Sequence, residues 1–241
     1  MATIDEIAPE VYRICVWQPE LSLQFNHFLV CDDEPLLFHT GYNRVFEELR
    51  EAVARLIDPA KLRWIGFSHF ESDECGSLNK WLELAPHARP LCTFLSAVLS
   101  VNDYALREAR VLGEGESLAT GKYRFRVHST CHLPHGWDAG VLFEETQRTL
   151  FCSDLLFHFG KVEPLTSAEI LDRVRDSLVN MQSSPFAYSV PYTPQTDHIL
   201  ERLATLNPKT LATMHGSSFN GDCAKALRGF GSIVREVLGE A

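Results

Sequence analysis

Residues 68–76 read Ser-His-Phe-Glu-Ser-Asp-Glu-Cys-Gly, and this stretch limits the fold of the 241-residue chain more sharply than any other. Four side chains able to hold a metal, His69, Glu71, Asp73 and Glu74, fall within six residues. The run before them, Leu62 to Phe67, is short, apolar and aromatic, which predicts a buried strand. The residues behind them, Gly76 to Leu84, predict an amphipathic helix. The cluster therefore belongs on a strand-to-helix loop at the carboxyl end of a strand, where layered α/β folds face their ligands. At spacing i, i+2 and i+4, an extended loop sends His69, Glu71 and Asp73 to one side, whereas a turn at Ser72 divides them between two neighbouring ions. Either geometry gives a hard, oxygen-rich site with one imidazole, better suited to iron or manganese than a thiolate-type zinc site is. A solvated acidic loop at a helix N-terminus has the same composition, since acidic side chains are favoured there anyway. The stretch decides nothing without partners elsewhere in the chain.

Composition narrows the class of partner. A hydrophobic content of 45% is enough for a full core, and 22% charged residues is ordinary for a soluble protein. The net charge of −10 argues against sequence-independent binding to nucleic acid or an anionic membrane, both of which need basic patches. No apolar stretch approaches the length of a membrane span, and the N-terminus lacks a basic region followed by an apolar one. The seven cysteines form no CxxC pair, so they read as small buried hydrophobes in a reducing, cytoplasmic protein.

In chain order, Glu10 to Trp17, Leu21 to Val30 and Pro35 to His39 predict three strands in an antiparallel start to a sheet. His27 and His39 lie in or beside them; both read as hydrogen-bonded structural histidines, with His27 the better pocket candidate. Asn43 to Leu56 has a helical period. Arg89 to Thr93 predicts a strand, Ser96 to Asn102 a helix capped by Ser96, and Val111 to Gly121 a turn-rich stretch. Tyr123 to Ser129, Gly140 to Glu144 and Thr149 to Cys152 predict strands. Helices are expected over Ser167–Met181, Thr196–Leu206 and Asp222–Leu238, with a last buried strand over Thr210–Met214. No linker, low-complexity segment or repeat divides the chain, so the expectation is one layered α/β domain over 1–241.

Three later residues share the placement of the first cluster, each a metal-type side chain just past a predicted strand. They are His135 in Cys131-His-Leu-Pro-His-Gly-Trp-Asp138, Asp154 in Cys152-Ser-Asp, and His215 in Met214-His-Gly. A carboxylate such as Asp154 can bridge two cations with its two oxygens, and an imidazole cannot. Two such cations need about three or four protein groups each, which leaves positions open for a small molecule.

The whole set resembles the diiron domain of flavodiiron proteins, a branch of the metallo-β-lactamase superfamily. That family's H-x-E-x-D…H…D…H pattern is matched by His69, Glu71, Asp73, His135, Asp154 and His215, with eighteen and then sixty residues separating the last three. Hydrolytic members carry H-x-H-x-D-H, and Glu71 in place of the second His marks the redox branch. The resemblance implies a metallo-β-lactamase-like αβ/βα four-layer sandwich with two iron ions at one edge between its sheets. It implies one iron on His69, Glu71 and His135, the other on Asp73 and His215, with Asp154 bridging alongside an oxo, hydroxo or peroxo group. Dioxygen or nitric oxide would bind between the irons, and a homodimer is expected.

Two departures bear on function. Glu74 stands where many members have His, and is open to two readings, a metal ligand or a hydrogen-bond partner of bound water. No flavodoxin-like segment follows within the 241 residues, so the chain more closely resembles stand-alone members described as oxygen-binding diiron proteins. Phe25-Asn-His-Phe-Leu29 and Thr130-Cys-His-Leu-Pro-His135 carry part of that likeness. The resemblance implies a non-haem diiron protein that binds O2, acting as a sensor with a signalling partner or as an O2/NO reductase fed by separate redox proteins. A dinuclear zinc hydrolase of the same fold is the alternative. Among neighbours of the site, Asp138 and Ser153 are read as orienting imidazoles. Tyr192 has two readings, a hydroxyl over a bound diatomic or a structural turn tyrosine; His132 is a rival to His135, and Cys75 reads as a packed thiol.

Overall fold

The computed structural model describes residues 1–113 and 115–239; Glu114, within the turn-rich stretch, and residues 240–241 lie outside the described residues. Two seven-stranded sheets face each other. The first runs in chain order through β1 (Thr3–Ala8), β2 (Val11–Gln18), β3 (Leu23–Val30), β4 (Leu36–Phe38), β5 (Trp64–Gly66), β6 (Arg89–Cys92) and β7 (Arg110–Val111). Its first four strands pair antiparallel and the rest parallel. The change follows from the connections, because tight turns join β1 to β4 while parallel neighbours require helical crossovers. Those crossovers are α1 (Phe46–Ala54), then α2 (Ser72–Cys75) with α3 (Leu78–Leu84), then a helical run from α4 (Phe94–Ser96) through a π-helical turn to α5 (Asn102–Tyr104).

The second sheet comprises β8 (Leu118–Ala119), β9 (Arg124–Ser129), β10 (Gly140–Glu144), β11 (Thr149–Phe151), β12 (Leu165–Thr166), β13 (Thr210–Ala212) and β14 (Ser218–Phe219). Their spatial order is β12-β14-β13-β11-β10-β9-β8. Its helices are α6 (Leu171–Met181), α7 (Thr196–Thr205) and α8 (Cys223–Leu238). Asp222 caps α8 by accepting from the Lys225 N–H at 2.9 Å, a contribution of about 1 kcal/mol.

Side-chain alternation sorts the core into three slabs. Phe28, Val30 and Phe38 point from the first sheet onto Phe125, Leu142 and Phe151 of the second. Their neighbours Leu29, Leu37 and Ile65 point the other way, under Leu49 of α1 and Trp81 of α3. Leu150 and Leu211 likewise leave the second sheet for Leu178, Leu203 and Phe230 on α6, α7 and α8. Helices, sheet, sheet, helices is the expected αβ/βα sandwich. Every residue of β3 is buried because both its faces are covered. No described helix is long and apolar enough to cross a membrane.

Several boundaries differ from expectation for local reasons. β1 was not foreseen, because Thr3, Asp5 and Glu6 put polar side chains on both faces of this partly exposed edge strand. The expected helix over Ser96–Asn102 starts two residues earlier, with Thr93 rather than Ser96 as its cap; the Thr93 hydroxyl accepts from the Ser96 N–H at 3.2 Å. The expected helix over Ser167–Met181 begins only at Leu171. β12 and β14 are two residues each, too short for any period to register.

Candidate metal centre

The six sequence-predicted side chains His69, Glu71, Asp73, His135, Asp154 and His215 converge at the carboxyl ends of β5, β11 and β13 and on the loop after β9. His69 follows β5 and is nearly buried. Its Nε2 lies 2.9 Å from Oε2 of Glu71, and the same oxygen lies 3.0 Å from Nε2 of His135. Ligand atoms of His69, Glu71, His135 and Asp154 all lie within 4.8 Å of one another. A second group adjoins the first: Nε2 of His215 lies 3.5 Å from Oδ2 of Asp73 and 3.2 Å from Oδ1 of Asp154. The other oxygen of Asp154, Oδ2, faces His69 at 3.8 Å and His135 at 3.7 Å. Asp154 thus turns one oxygen to each group.

Local structure fixes each side chain. Asp154 leaves β11 through Ser153, whose backbone is left-handed at φ 54°. Ser153 O accepts from Met214 N at 2.8 Å, tying the Asp154 turn to the His215 turn. His215 is oriented by its Nδ1, which lies 2.9 Å from the Gln24 carbonyl on β3. That carbonyl can only accept, so Nδ1 carries a proton and Nε2 is the nitrogen that faces the carboxylates. The next residue, Gly216, has φ +90° and packs where a Cβ would sit 2.4 Å from the His158 ring, so no other residue fits the turn. Asn26 Nδ2 donates to the carbonyls of Thr213 and Gly216, both at 2.9 Å, and the buried Arg13 adds a bond to Gly216 O at 3.3 Å. A residue from the second sheet is therefore positioned by the first.

Glu74 faces away from this cavity. Its carboxylate accepts from the Ser68 N–H at 2.8 Å, the His69 N–H at 3.0 Å and the Ser153 hydroxyl at 2.6 Å. It also lies 3.5 Å from Nε2 of His39, so the fully buried charge sits between two imidazoles behind the site. In this geometry the Glu74 carboxylate is engaged by Ser68, His69 and Ser153 on the side of His69 away from Glu71.

The electrostatics follow from carboxylates crowding imidazoles in a dry place. Burial opposes the charge on His69, but Glu74, Glu71 and Asp154 outweigh it and push its pKa up to about 10. His215 is raised to about 10 in the same way, against its burial, by Asp154 and Asp73. Glu71 is held down to about 2 by His135 and His69, whereas burial raises Asp73. His27, with no carboxylate against it, is pushed by burial down to about 3.

Neighbours behave unevenly against expectation. Ser153 Oγ does lie 3.4 Å from His69 Nδ1. Asp138 instead holds loops, accepting from the Phe70 N–H at 2.9 Å and the Ser96 hydroxyl at 2.5 Å. His132 is exposed, and its N–H bonds Gly136 O at 2.7 Å to shape the His135 loop. Cys75 is a buried thiol on Glu71 O at 3.2 Å. Tyr192 is not over the site: its hydroxyl donates to Asp197 at 2.7 Å and accepts from Arg235 at 2.8 Å. His39, not His27, reaches the rear of the site. Tyr42 and Ser189 are the hydroxyl-bearing residues that line the cavity, neither of them singled out in the sequence; Tyr42 follows Gly41, φ +78°, in a turn with no motif of its own.

The donor set fits hard cations. Oδ1 of Asp73 and Oδ1 of Asp154 are buried without a hydrogen-bond partner among the described residues, and no thiol faces the cavity. Above it opens a cavity of about 440 Å³ with walls that include Phe25, Phe157 and Phe159.

Known proteins resemble this chain in sequence and in fold. A nitric oxide reductase of Moorella thermoacetica is 26% identical over 215 residues, covering 86% of this chain and 52% of that one. A rubredoxin-oxygen oxidoreductase of Megalodesulfovibrio gigas is 25% identical over 207 residues, covering 83% and 50%. The chain thus spans about half the length of these relatives. Among solved structures, the rubredoxin oxygen:oxidoreductase of Desulfovibrio gigas superposes with TM-score 0.81 at 22% identity, covering 95% of this chain and 61% of that one. A diflavin flavoprotein fragment from Nostoc superposes with TM-score 0.78 at 14% identity, covering 98% and 96%. These two likenesses show the fold. Residues 23–216, which carry all six converging side chains, match the family described as ODP family beta lactamase, and the chain belongs to that family.

Proposed function

We propose that this chain is a non-haem diiron protein that binds O2 or NO, with His69, Glu71 and His135 on one iron, Asp73 and His215 on the other, and Asp154 bridging. The observation that carries the reading is the split of the Asp154 carboxylate, Oδ2 toward His69 and His135 and Oδ1 toward His215. Both matched relatives are named as reductases of a small oxidant, which supports the redox reading and gives nothing to the zinc hydrolase alternative.

Bound iron supplies the electrons and Lewis acidity for chemistry on a diatomic molecule. The chain supplies the rest. The Gln24 carbonyl keeps the His215 proton on Nδ1, and Glu74 does the same service behind His69. Leu23, Phe25, Phe157 and Phe159 keep bulk water off the centre. Burial, with Asp73 and Glu71 close by, pushes Tyr42 up to about 12, so its hydroxyl stays a hydrogen-bond donor at any physiological pH.

Electrons would come from a separate redox protein, and we propose a soluble, cytoplasmic homodimer. The test is O2 or NO uptake by iron-loaded protein with and without reduced rubredoxin. Stoichiometric uptake alone supports a binding or sensing role, and continuous uptake with the donor supports a reductase. No uptake under either condition, with thioester hydrolysis by the zinc form, overturns the reading.

A further inference from the structure

His39 stands behind the candidate centre, just past β4, and lines no part of the cavity. It is fully buried, and its backbone is left-handed at φ 68°. A side chain with a Cβ is strained in that region, and a buried residue held there points to a role that the strain serves. Asparagine suits the same backbone as well as histidine does, so conformation alone does not call for the longer ring.

What the ring adds is reach. Its Nδ1 lies 3.2 Å from the Asn26 carbonyl on β3, which can only accept, so Nδ1 carries a proton. Its Nε2 is buried with no hydrogen-bond partner among the described residues and faces Oε1 of Glu74 at 3.5 Å. One proton between Nε2 and Oε1 joins the two groups. The same Oε1 lies 3.4 Å from Nδ1 of His69. It therefore sits between two imidazoles, one reaching the metal-type cluster and the other anchored on β3. Ser68 and Ser153 also bind the Glu74 carboxylate, and His39 ties it to Asn26. Through its amide, Asn26 holds the carbonyls of Thr213 and Gly216 around His215 as well. One residue of β3 thus braces both halves of the centre from behind.

We propose that His39 is a positioning residue: through Glu74 it fixes the Nδ1 side of His69, and so sets how tightly that half of the centre holds its ion. The role of His69 as a ligand rests on the diiron reading above; the chain of contacts from Asn26 to His69 does not.

The test is anaerobic titration of metal-free protein with Co2+, followed by visible absorption against a competing chelator. His69→Ala marks the binding step that depends on His69. His39→Gln puts an amide nitrogen where Nε2 stands and keeps the reach to Glu74, whereas His39→Asn puts it where Nδ1 stands and keeps only the Asn26 carbonyl. His39→Asn should weaken the His69 step by about tenfold, the lower end of the loss typical for an outer partner of a metal-bound imidazole. The other step should be unchanged, and His39→Gln should keep the affinity of the unsubstituted protein. The Nδ1 proton of His69, shifted by cobalt in the proton NMR spectrum, should move in His39→Asn and stay in place in His39→Gln. Circular dichroism checks folding, and His39→Ala takes the place of His39→Asn should that variant not fold. Equal weakening by both variants would make His39 a packing residue and overturns the proposal. No weakening by either overturns it, as does weakening by His39→Gln alone, which would put the effect on the Asn26 contact. Fewer than two cobalt ions on the unsubstituted protein contradicts the diiron reading and leaves His39 to be judged on the step that His69→Ala removes; absence of any such step overturns both.

Discussion

Oε1 of Glu74 lies 3.4 Å from Nδ1 of His69, on the far side of the ring from Glu71, whose carboxylate lies 2.9 Å from Nε2. One imidazole therefore has a carboxylate at each nitrogen, and only the Glu71 side opens to the cavity. Glu74→Gln should keep both irons while removing a buried negative charge behind one of them, so the iron midpoint potential should rise. Iron analysis with spectroelectrochemistry checks this; loss of one iron would make Glu74 a ligand. Glu74→Ala should also lower the melting temperature. It strips the acceptor from Ser68 N, His69 N and the Ser153 hydroxyl, at about 1–3 kcal/mol for each group left unpaired.

Asp154→Ala should lose both metals, because its two oxygens face different halves of the site. His215→Ala should lose the Asp73 side alone. Metal content after dialysis, read beside circular dichroism to confirm folding, separates these outcomes. Two irons retained by Asp154→Ala would contradict the bridging role.

Proton release offers a test that needs no substitution. In the metal-free protein His69 and His215 are raised from 6.5 to about 10, so both are charged at neutral pH. A metal must displace those protons, and because Glu71 and Asp154 raise His135 as well, against its burial, loading at pH 7 should release at least about two per chain, falling toward zero above pH 10. The same shifts bear on folding. A raised histidine pKa stabilises the metal-free fold fully below pH 6.5, and that contribution is lost as pH climbs to about 10. Indicator-dye titration and melting curves of stripped protein across that window check both; release of no protons would mean that the two rings are neutral before metal arrives.

Asn26 tests whether the first sheet positions a ligand on the second. Its amide holds the carbonyls of Thr213 and Gly216, one on each side of His215. Asn26→Ala should lose about 1–3 kcal/mol, chiefly from the Thr213 carbonyl left unpaired, since the Gly216 carbonyl keeps its bond from Arg13, and iron content should fall toward one per chain. Denaturant unfolding and iron analysis read the two effects. Full iron retention would show that the Gln24 contact positions His215 alone.

The residues that converge on the site were all legible in the sequence, and the reason is physical. His69, Asp154 and His215 follow the buried strands β5, β11 and β13, and an apolar run with His or Asp just past it signals both the strand and its end, while His135 lies on the loop after the half-exposed β9. What surrounds them was not legible. Tyr42 and Tyr192 look alike as turn tyrosines, and only the tertiary fold puts one on the cavity wall and the other in an ion-pair cluster with Asp197 and Arg235. Glu74 is adjacent in sequence to the ligand-type Asp73, yet the one-turn helix α2 sends the two side chains in different directions. The edge strands β1 and β12 and the two-residue β14 escaped because pairing with a neighbour, not side-chain periodicity, makes them strands.

The most direct measurement is anaerobic purification, quantification of iron and zinc, and absorption spectra recorded as air is admitted. The account predicts about two irons per chain, the number the split Asp154 carboxylate can join, and a visible charge-transfer band that grows with oxygen. Zinc in place of iron, with no spectral change on exposure to air, would contradict it.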